Sequence, residues 1–232
     1  CVKPFAVPDT WDETNPAEDP NGNDVEDPTE QWTYTPGNDT YDPGNPDDPG
    51  SAGTTGYGSG LRDRNGQFTS DYGLQVNLRL PDPLSPTPPM GSQQFRPFTT
   101  TGNRNDVGAY RDALAGCDPN GVKLGTAYDL LNPDPQIPGL TKEVVDSLVN
   151  IADPDTQWND ATKSMESTSH ADWHSSPRVI SIGYFNPNQL GPGLTQITFN
   201  NIGLMFLEGF NDITNTLTGR LFFFSTGTGD PD

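Results

Sequence analysis

The feature that most constrains the fold is an acidic, turn-forming first quarter of the chain. Residues 1–60 contain thirteen acidic residues, one basic residue (Lys3) and nine prolines, in runs such as DPNGNDVEDP and TPGNDTYDPGNPDDPG. A segment of this composition buries too little apolar surface to offset the entropy lost on ordering. We therefore predict that residues 1–60 form an acidic Pro/Gly/Asp-rich arm or linker, of which residues 12–60 become ordered only with an ion or a partner. The opening CVKPFAVPDTW is predicted to be an extended arm on an α+β domain formed by residues 61–232.

Charge and composition argue against several classes of partner. The net charge of −20 gives a surface that repels nucleic acids and anionic lipid headgroups. No apolar run is long enough to cross a membrane. Attachment to a membrane is therefore expected only through a segment or a lipid outside this sequence. The 25 glycines and 24 prolines favour turns and short strands over a helical bundle.

Apolar and β-branched runs predict four strands after residue 61. Residues 73–80 (GLQVNLRL) alternate apolar and polar side chains, as a half-buried strand does. Residues 178–185, 196–207 and 217–224 are rich in aromatic and β-branched residues and are separated by turn residues, which predicts an antiparallel sheet. Gly203 is predicted to mark a bulge in the second of these strands.

Two segments have the spacing of helices. Asp106 is the predicted N-cap of a short helix over residues 107–114. A second helix is predicted to begin with Thr141 as N-cap and to end at Asp153-Pro154. Its predicted buried face consists of Val144, Val145, Leu148 and Ile151. The predicted fold class is α+β: an antiparallel sheet with one or two helices and a long irregular acidic N-terminal region.

Several motifs follow one another in a recognisable order: CVKPFAVPDTW, ADPDTQWND after a helix, SPRVISIGYFNP, LMFLEGF and LTGRLFFF. Together they resemble the exported region of TadG-like proteins, the TadE/TadG group associated with Flp/Tad pilus assembly. The resemblance covers residues 1–11 and roughly 117–224. It implies a membrane-tethered, envelope-exposed protein that acts without a catalytic site.

The chain has two cysteines, Cys1 and Cys117. We predict a disulfide between them from their number, from the export that the resemblance implies, and from their position in segments that match the family. The alternatives are two unrelated thiols and a lipid carried by Cys1.

The acidic first quarter contains a candidate calcium loop. Asp19, Asn21, Asn23, Asp24 and Glu26 place oxygen ligands around a glycine, and Glu30 stands where a calcium loop has its last ligand. Pro20 and the lack of flanking helices argue against an EF-hand. Calcium is the one possible cofactor, and a solvated acidic linker is the alternative.

His170 and His174 have the spacing that places two imidazoles on one helical face for zinc, with Asp172 between them. The flanking serines favour a loop, so exposed histidines are the preferred interpretation. The chain has no nucleophile-elbow sequence at a strand-to-helix turn, no phosphate-binding loop and no dinucleotide fingerprint. We therefore expect no enzymatic activity.

Phe222, Phe223 and Phe224 would place aromatic side chains on both faces of the last strand. One face packs on the core, and the other is covered either internally or by another protein. Phe5, Trp11, Phe206 and Phe210 are the candidates for internal cover. An uncovered face would be a protein interface.

These observations favour a non-enzymatic, extracytoplasmic structural or assembly protein of a bacterial surface pilus or envelope system. Its expected partners are other envelope or pilus proteins, or further copies of itself. The alternatives are a lipoprotein and a self-assembling filament or adhesin subunit with calcium-binding acidic loops.

Overall fold

A computed structural model describes residues 2–14, 32–43, 53, 55–56, 72–81, 91–118, 120–167, 169–170, 172, 175–189 and 195–225, with the backbone alone for 222–225. The protein is mainly β, with a large mixed sheet and two α-helices. The fold is therefore less evenly divided between helix and strand than the predicted α+β class. The predicted domain boundary at residue 60 lies outside the described residues.

The main sheet has seven strands, and two further strand pairs lie beside it. The main strands are β1 (Val2–Pro8), β4 (Gln75–Arg79), β5 (Arg96–Thr99), β6 (Ala127–Leu130), β9 (Val179–Phe185), β10 (Gln196–Asn211) and β11 (Thr216–Ser225). Their order is β4-β11-β10-β6-β5-β1-β9, and β10 also pairs with β9. The small pairs are β2 (Trp11–Asp12) with β3 (Thr40–Tyr41), and β7 (Gln157–Asn159) with β8 (Ser164–Glu166).

The long strand β10 closes part of the sheet on itself. It pairs with β6 at its start, with β9 from Phe199 to Phe206, and with β11 along its second half. Because β6 pairs with β5, β5 with β1 and β1 with β9, these five strands form a closed cycle of pairings. Every strand of the cycle contributes to one buried cluster, as expected for the interior of a small barrel. Its members are Ala6, Phe98, Tyr128, Leu130, Phe185, Ile197 and Phe199.

The larger core joins the sheet to the helices α1 (Val107–Ala115) and α2 (Ile137–Ser147). It includes Phe5 and Val7 from β1, side chains from four other strands, and Tyr110, Leu114, Val144 and Val145 from the helices. The Asp106 carboxylate accepts a hydrogen bond from the Ala109 backbone at 2.9 Å, so the predicted N-cap of α1 is confirmed.

The two helices run parallel, side by side. The hydroxyls of Tyr110 and Thr141 are 2.7 Å apart near their starts. At their ends, Ala115 lines the same groove as Ser147 and Leu148. Because α2 continues into a π-helical turn, Leu148–Ala152, its end extends past the end of α1.

The predicted start of the second helix and the predicted burial of Ile151 are wrong, whereas its predicted end at Asp153 is confirmed. The helix begins four residues before Thr141, whose buried hydroxyl donates to the Ile137 carbonyl inside the helix and so does not act as a cap. Its C-cap is Leu148, and the π-helical turn then ends at Asp153. A π turn holds more residues than an α turn, so it rotates its last side chains away from the α-helical face. Ile151 is accordingly 78% exposed, although the α-helical pattern places it on the buried face.

The first residues form a central strand, whereas the sequence predicted an arm. β1 pairs antiparallel with β5 and parallel with β9, so the predicted antiparallel sheet is in fact mixed. The antiparallel pairings β9–β10 and β10–β11 confirm the C-terminal part of the prediction. The predicted strand at residues 73–80 is also confirmed, as β4.

The predicted bulge at Gly203 is wrong, because the register of β10 runs through this residue against both neighbours. The register shifts instead between Phe199 and Asn201 opposite β9. Opposite β11 it shifts between Leu204 and Met205 and between Leu207 and Gly209.

Part of the acidic first quarter packs on the end of β1. Trp11, Trp32 and Tyr34 form a buried aromatic cluster, and the rings of Trp11 and Tyr34 meet edge to face at 5.6 Å. Trp11 and Thr55 exchange two backbone hydrogen bonds of 3.1 Å. Aromatic packing and these hydrogen bonds join residues 32–43, 53, 55 and 56 to the end of β1. Order of residues 12–60 only with an ion or a partner stays a prediction.

Candidate functional site

A buried polar cluster joins the helix end to the start of β9. The Asp153 carboxylate accepts hydrogen bonds from Thr156 Oγ1 at 2.6 Å and from Ser176 Oγ. Arg178 donates to the carbonyls of Thr156 at 2.5 Å, Leu207 at 2.9 Å and Asp153 at 3.3 Å. Its guanidinium also lies 4.3 Å from the centre of the Phe206 ring. The motifs ADPDTQW and SPR thus supply one structural cluster, which ties the helix end to β9 and β10.

His170 borders this cluster and lies between Asp153 and Ser175. Its Nδ1 is 3.3 Å from Ser175 Oγ, and its Nε2 is 3.6 Å from the Asp153 carboxylate. Ser175 Oγ donates to the Asp172 carbonyl at 2.6 Å. The hydroxyl hydrogen therefore points away from the imidazole, and the His–Asp distance exceeds that of a hydrogen bond. This arrangement lacks the two hydrogen bonds that activate a serine nucleophile.

Most of the candidate metal ligands lie outside the described residues. His170 and Asp172 lie in a loop, as the flanking serines indicated, and His174 lies outside the described residues. No group of three or more metal-ligating side chains occurs in the part of the chain that the structure describes. The candidate calcium ligands Asp19, Asn21, Asn23, Asp24 and Glu26 also lie outside the described residues.

The backbone of the predicted aromatic interface lies on β11. Phe223 pairs with Leu204 and Phe224 with Gly203, while the register skips Phe222. The predicted two faces depend on a regular alternation of residues along the strand, and this alternation is interrupted at Phe222. Among the candidates for internal cover, Phe5, Phe206 and Phe210 are buried beside the sheet, whereas Trp11 belongs to the separate aromatic cluster. The interface itself stays a prediction, because the three side chains lie outside the described atoms.

A second buried polar group, Asp9, follows the end of β1. Its carboxylate accepts hydrogen bonds from Asn201 at 2.8 Å, from Tyr41 at 3.2 Å and from the Thr10 backbone at 3.0 Å. Burial raises the pKa of Asp9 to about 6, because it penalises the charged form more than these donors stabilise it. The same burial raises the pKa of Tyr41. This cluster fixes residues 41–42 to the sheet.

The Asp9 pKa predicts a pH dependence of stability. The pKa of Asp9 in the folded state is raised above its ordinary value of 3.8. The contribution of Asp9 to the free energy of unfolding is therefore complete below pH 4 and is lost as the pH rises through about 6. A shift of this size corresponds to a loss on the order of 3 kcal/mol. Urea unfolding at a series of pH values gives the free energy of unfolding as a function of pH. Across this window, the free energy should fall with pH more steeply in the wild type than in Asp9→Asn. Above the window, the two pH dependences should run parallel. Equal slopes at every pH would contradict the prediction.

Cys117 follows the end of α1 in a position suited to the predicted disulfide. Lys3 Nζ donates to the Gly116 carbonyl at 2.5 Å, and burial lowers the pKa of Lys3 to about 8. Val2 and Asp118 line one small cavity, so the first residues of β1 lie beside this loop. Cys1 lies outside the described residues, and the pairing of the two cysteines stays a prediction.

An open groove lies where α2 extends past α1, with a volume of about 430 Å³. Its apolar lining consists of Ala115, Val144, Leu148 and Ile151, and its polar rim consists of Arg111, Glu143, Asp146, Ser147 and Asn150. Ile151 and Ile213 are the large apolar side chains most exposed among the described residues. Ile213 lies in the turn between β10 and β11, outside the groove lining. The groove is the candidate functional site. The sequence did not indicate it, because the predicted helical pattern placed Ile151 on the buried face of α2.

Within the described residues, no helix has the length and apolar character needed to cross a membrane. No family model, curated protein or solved structure matches the chain.

Proposed function

We propose that this protein is a non-enzymatic structural or assembly component of a bacterial envelope or surface-pilus system, and that it binds a partner protein through the groove at the end of α2. The exposure of Ile151 in this groove carries the proposed partner binding, and the resemblance of the motifs to TadG-like proteins carries the proposed envelope or pilus role. Burying an exposed isoleucine in a partner is favourable by about 1.5–3 kcal/mol. An open apolar lining with a polar rim is typical of a protein-binding site.

The polar clusters support a structural role. Asp153, Arg178 and Asp9 are buried, and their hydrogen bonds join segments of the chain that are distant in sequence. Groups held in this way fix the fold. The motifs ADPDTQW and SPR are accounted for by this role, because the residues they supply bond to one another.

A disulfide would favour an oxidising compartment outside the cytoplasm. We expect the intact mass of the unreduced protein to be two hydrogens lower than that of the reduced protein. Reduction is expected to lower the free energy of unfolding by about 2–4 kcal/mol, because the bond closes a loop of more than a hundred residues between Cys1 and Cys117. Two titratable thiols in the native protein would contradict the pairing, and a diacylglyceryl mass on Cys1 would favour the lipoprotein alternative.

The assembly function is tested by complementation in the source bacterium. A strain lacking the gene is expected to lose surface filaments or the corresponding envelope assembly, and the wild-type gene should restore them. Ile151→Ser should fail to restore assembly while keeping the wild-type melting temperature. Ile213→Ser is the matched control, because it removes an equally apolar, exposed side chain away from the groove. Restored assembly with Ile151→Ser would overturn the proposed use of the groove.

A further inference from the structure

We propose that protonated His170 forms a charged contact with the buried Asp153 carboxylate, that this contact holds the connection between β8 and β9 against the end of the helix, and that it weakens when His170 loses its proton. The inference goes beyond the proposed function and does not depend on it. Its basis is that both nitrogens of the imidazole face atoms that accept hydrogen bonds.

The Nδ1 atom of His170 faces an oxygen that acts as an acceptor. It lies 3.3 Å from Ser175 Oγ. The hydroxyl hydrogen of Ser175 is already donated to the Asp172 carbonyl at 2.6 Å. A favourable contact between Ser175 Oγ and Nδ1 therefore requires a hydrogen on Nδ1.

The Nε2 atom of His170 faces a carboxylate that accepts hydrogen bonds on both of its oxygens. Thr156 donates to Asp153 Oδ1 at 2.6 Å, and Ser176 donates to Asp153 Oδ2. Asp153 is completely buried, and its Oδ1 lies 3.6 Å from His170 Nε2, within the range of an ion pair. A hydrogen and a positive charge on the ring are attracted to this carboxylate, whereas the lone pair of an unprotonated Nε2 is repelled by it.

The two acceptors together require the charged form of the ring. A neutral imidazole carries a hydrogen on one nitrogen only, so it can satisfy either Ser175 or Asp153 but not both. The imidazolium carries a hydrogen on each nitrogen and satisfies both. Histidine ordinarily changes charge between about pH 5 and 8. The contact is therefore strongest at acidic pH and weakens as the pH rises through this range.

Hydrogen bonds on either side of the ring position it beside Asp153. The backbone N–H of His170 donates to Ser167 Oγ at 3.0 Å. The hydroxyl of the preceding residue, Ser169, donates to the Asp155 carboxylate at 2.9 Å. The side chain of His170 is only 21% exposed, so the protein, more than the solvent, surrounds the ring.

The charges of the site also favour an added positive charge. Its charged residues are Asp153 and Asp155 after the helix, Asp172 in the connection and Arg178 just before β9. Arg178 donates to backbone carbonyls, including that of Asp153 at 3.3 Å. Acidic residues thus outnumber the basic one, and an imidazolium adds a positive charge where negative charge is in excess.

The first test compares the melting temperatures of the wild type and His170→Gln from about pH 5 to about pH 8, with a metal chelator present. Glutamine is polar but does not acquire a charge. The variant should melt about 2–4 °C below the wild type at the acidic end, the effect of one moderate contact in a chain of this size, and within about 1 °C of it at the alkaline end. Asp9 ionises in a similar range, but it is present in both proteins, so its contribution cancels in the difference.

The second test measures how firmly the segment is held. Hydrogen exchange of the His170 backbone amide is corrected for the intrinsic effect of pH on exchange. Protection of this amide in the wild type should fall about tenfold from the acidic to the alkaline end of the range, and protection at the same position of His170→Gln should not change. Ser175→Ala removes the acceptor at Nδ1 and should lower the melting temperature more at acidic than at alkaline pH.

His174→Gln is the matched control, because it removes the only other histidine of the chain. Its melting temperature should follow that of the wild type at every pH. A pH-dependent loss in His174→Gln equal to that in His170→Gln would remove the assignment to His170. A constant difference between the wild type and His170→Gln would show that the ring has a structural role only. If His170→Gln did not fold, equal protection of the wild-type amide at both ends of the range would overturn the inference by itself.

Discussion

Arg178→Met is expected to lower the free energy of unfolding by about 3–5 kcal/mol. The guanidinium of Arg178 donates to three carbonyls, lies against the Phe206 ring and is buried near the Asp153 carboxylate. Methionine fills much of the same volume but donates no hydrogen bond. The three carbonyls and the buried carboxylate would therefore lose their cationic neighbour. Chemical unfolding followed by tryptophan fluorescence measures the change.

Arg111→Met is the matched control for this prediction. Arg111 also contacts carboxylates, but it lies on the surface, where solvent screens the interaction. We expect no measurable change in its unfolding midpoint. If Arg178→Met and Arg111→Met had equal midpoints, the cluster would not stabilise the fold.

Gly183→Ala is expected to lower the free energy of unfolding by about 3 kcal/mol, at the upper end for overpacking in a core. A Cβ at Gly183 would lie 2.4–2.9 Å from three atoms of the Phe199 ring, inside the closed cycle of strands. Both strands are fixed by pairing, so the ring has little room to move away. Thermal and urea unfolding measure the loss.

A control substitution is available in the neighbouring strand, and a substitution of the contacting ring should recover part of the lost stability. Gly209 lies in β10, and a Cβ there meets no atom within 4 Å, so Gly209→Ala should be close to neutral. Phe199→Leu should recover part of the loss when combined with Gly183→Ala, because it removes ring atoms from the clash. Strictly additive losses in the double variant would show that the ring is not the cause.

Local patterns in the sequence predicted the strands that alternate or carry β-branched residues, and they missed β1. Six of its seven residues are buried, so β1 has no alternation to detect. It also contains Pro4, which lacks a backbone donor, and the register against β9 shifts between Val2 and Ala6 on either side of this residue. A proline-containing segment without alternation therefore resembled an arm.

The errors in the predicted second helix have local causes that the spacing of its apolar residues does not reveal. Thr141 resembles an N-cap, yet its hydroxyl bonds back to Ile137 inside the helix. The π-helical turn rotates Ile151 out of the buried face, and this rotation creates the candidate groove. The polar clusters could not be predicted either, because Asp9 and Asn201 are 192 residues apart and meet only through the sheet.

The parallel pairing of β1 with β9 affects the order in which the chain can fold. Val2 lies opposite Ser181, and Ala6 lies opposite Gly183, so β1 acquires this neighbour only after the long stretch of chain between the two strands has been synthesised. Contacts between such distant segments slow folding, because a long loop must close before they form. Until then the apolar residues of β1 stay without this partner. Native structure would therefore be completed late, once the C-terminal third has been made.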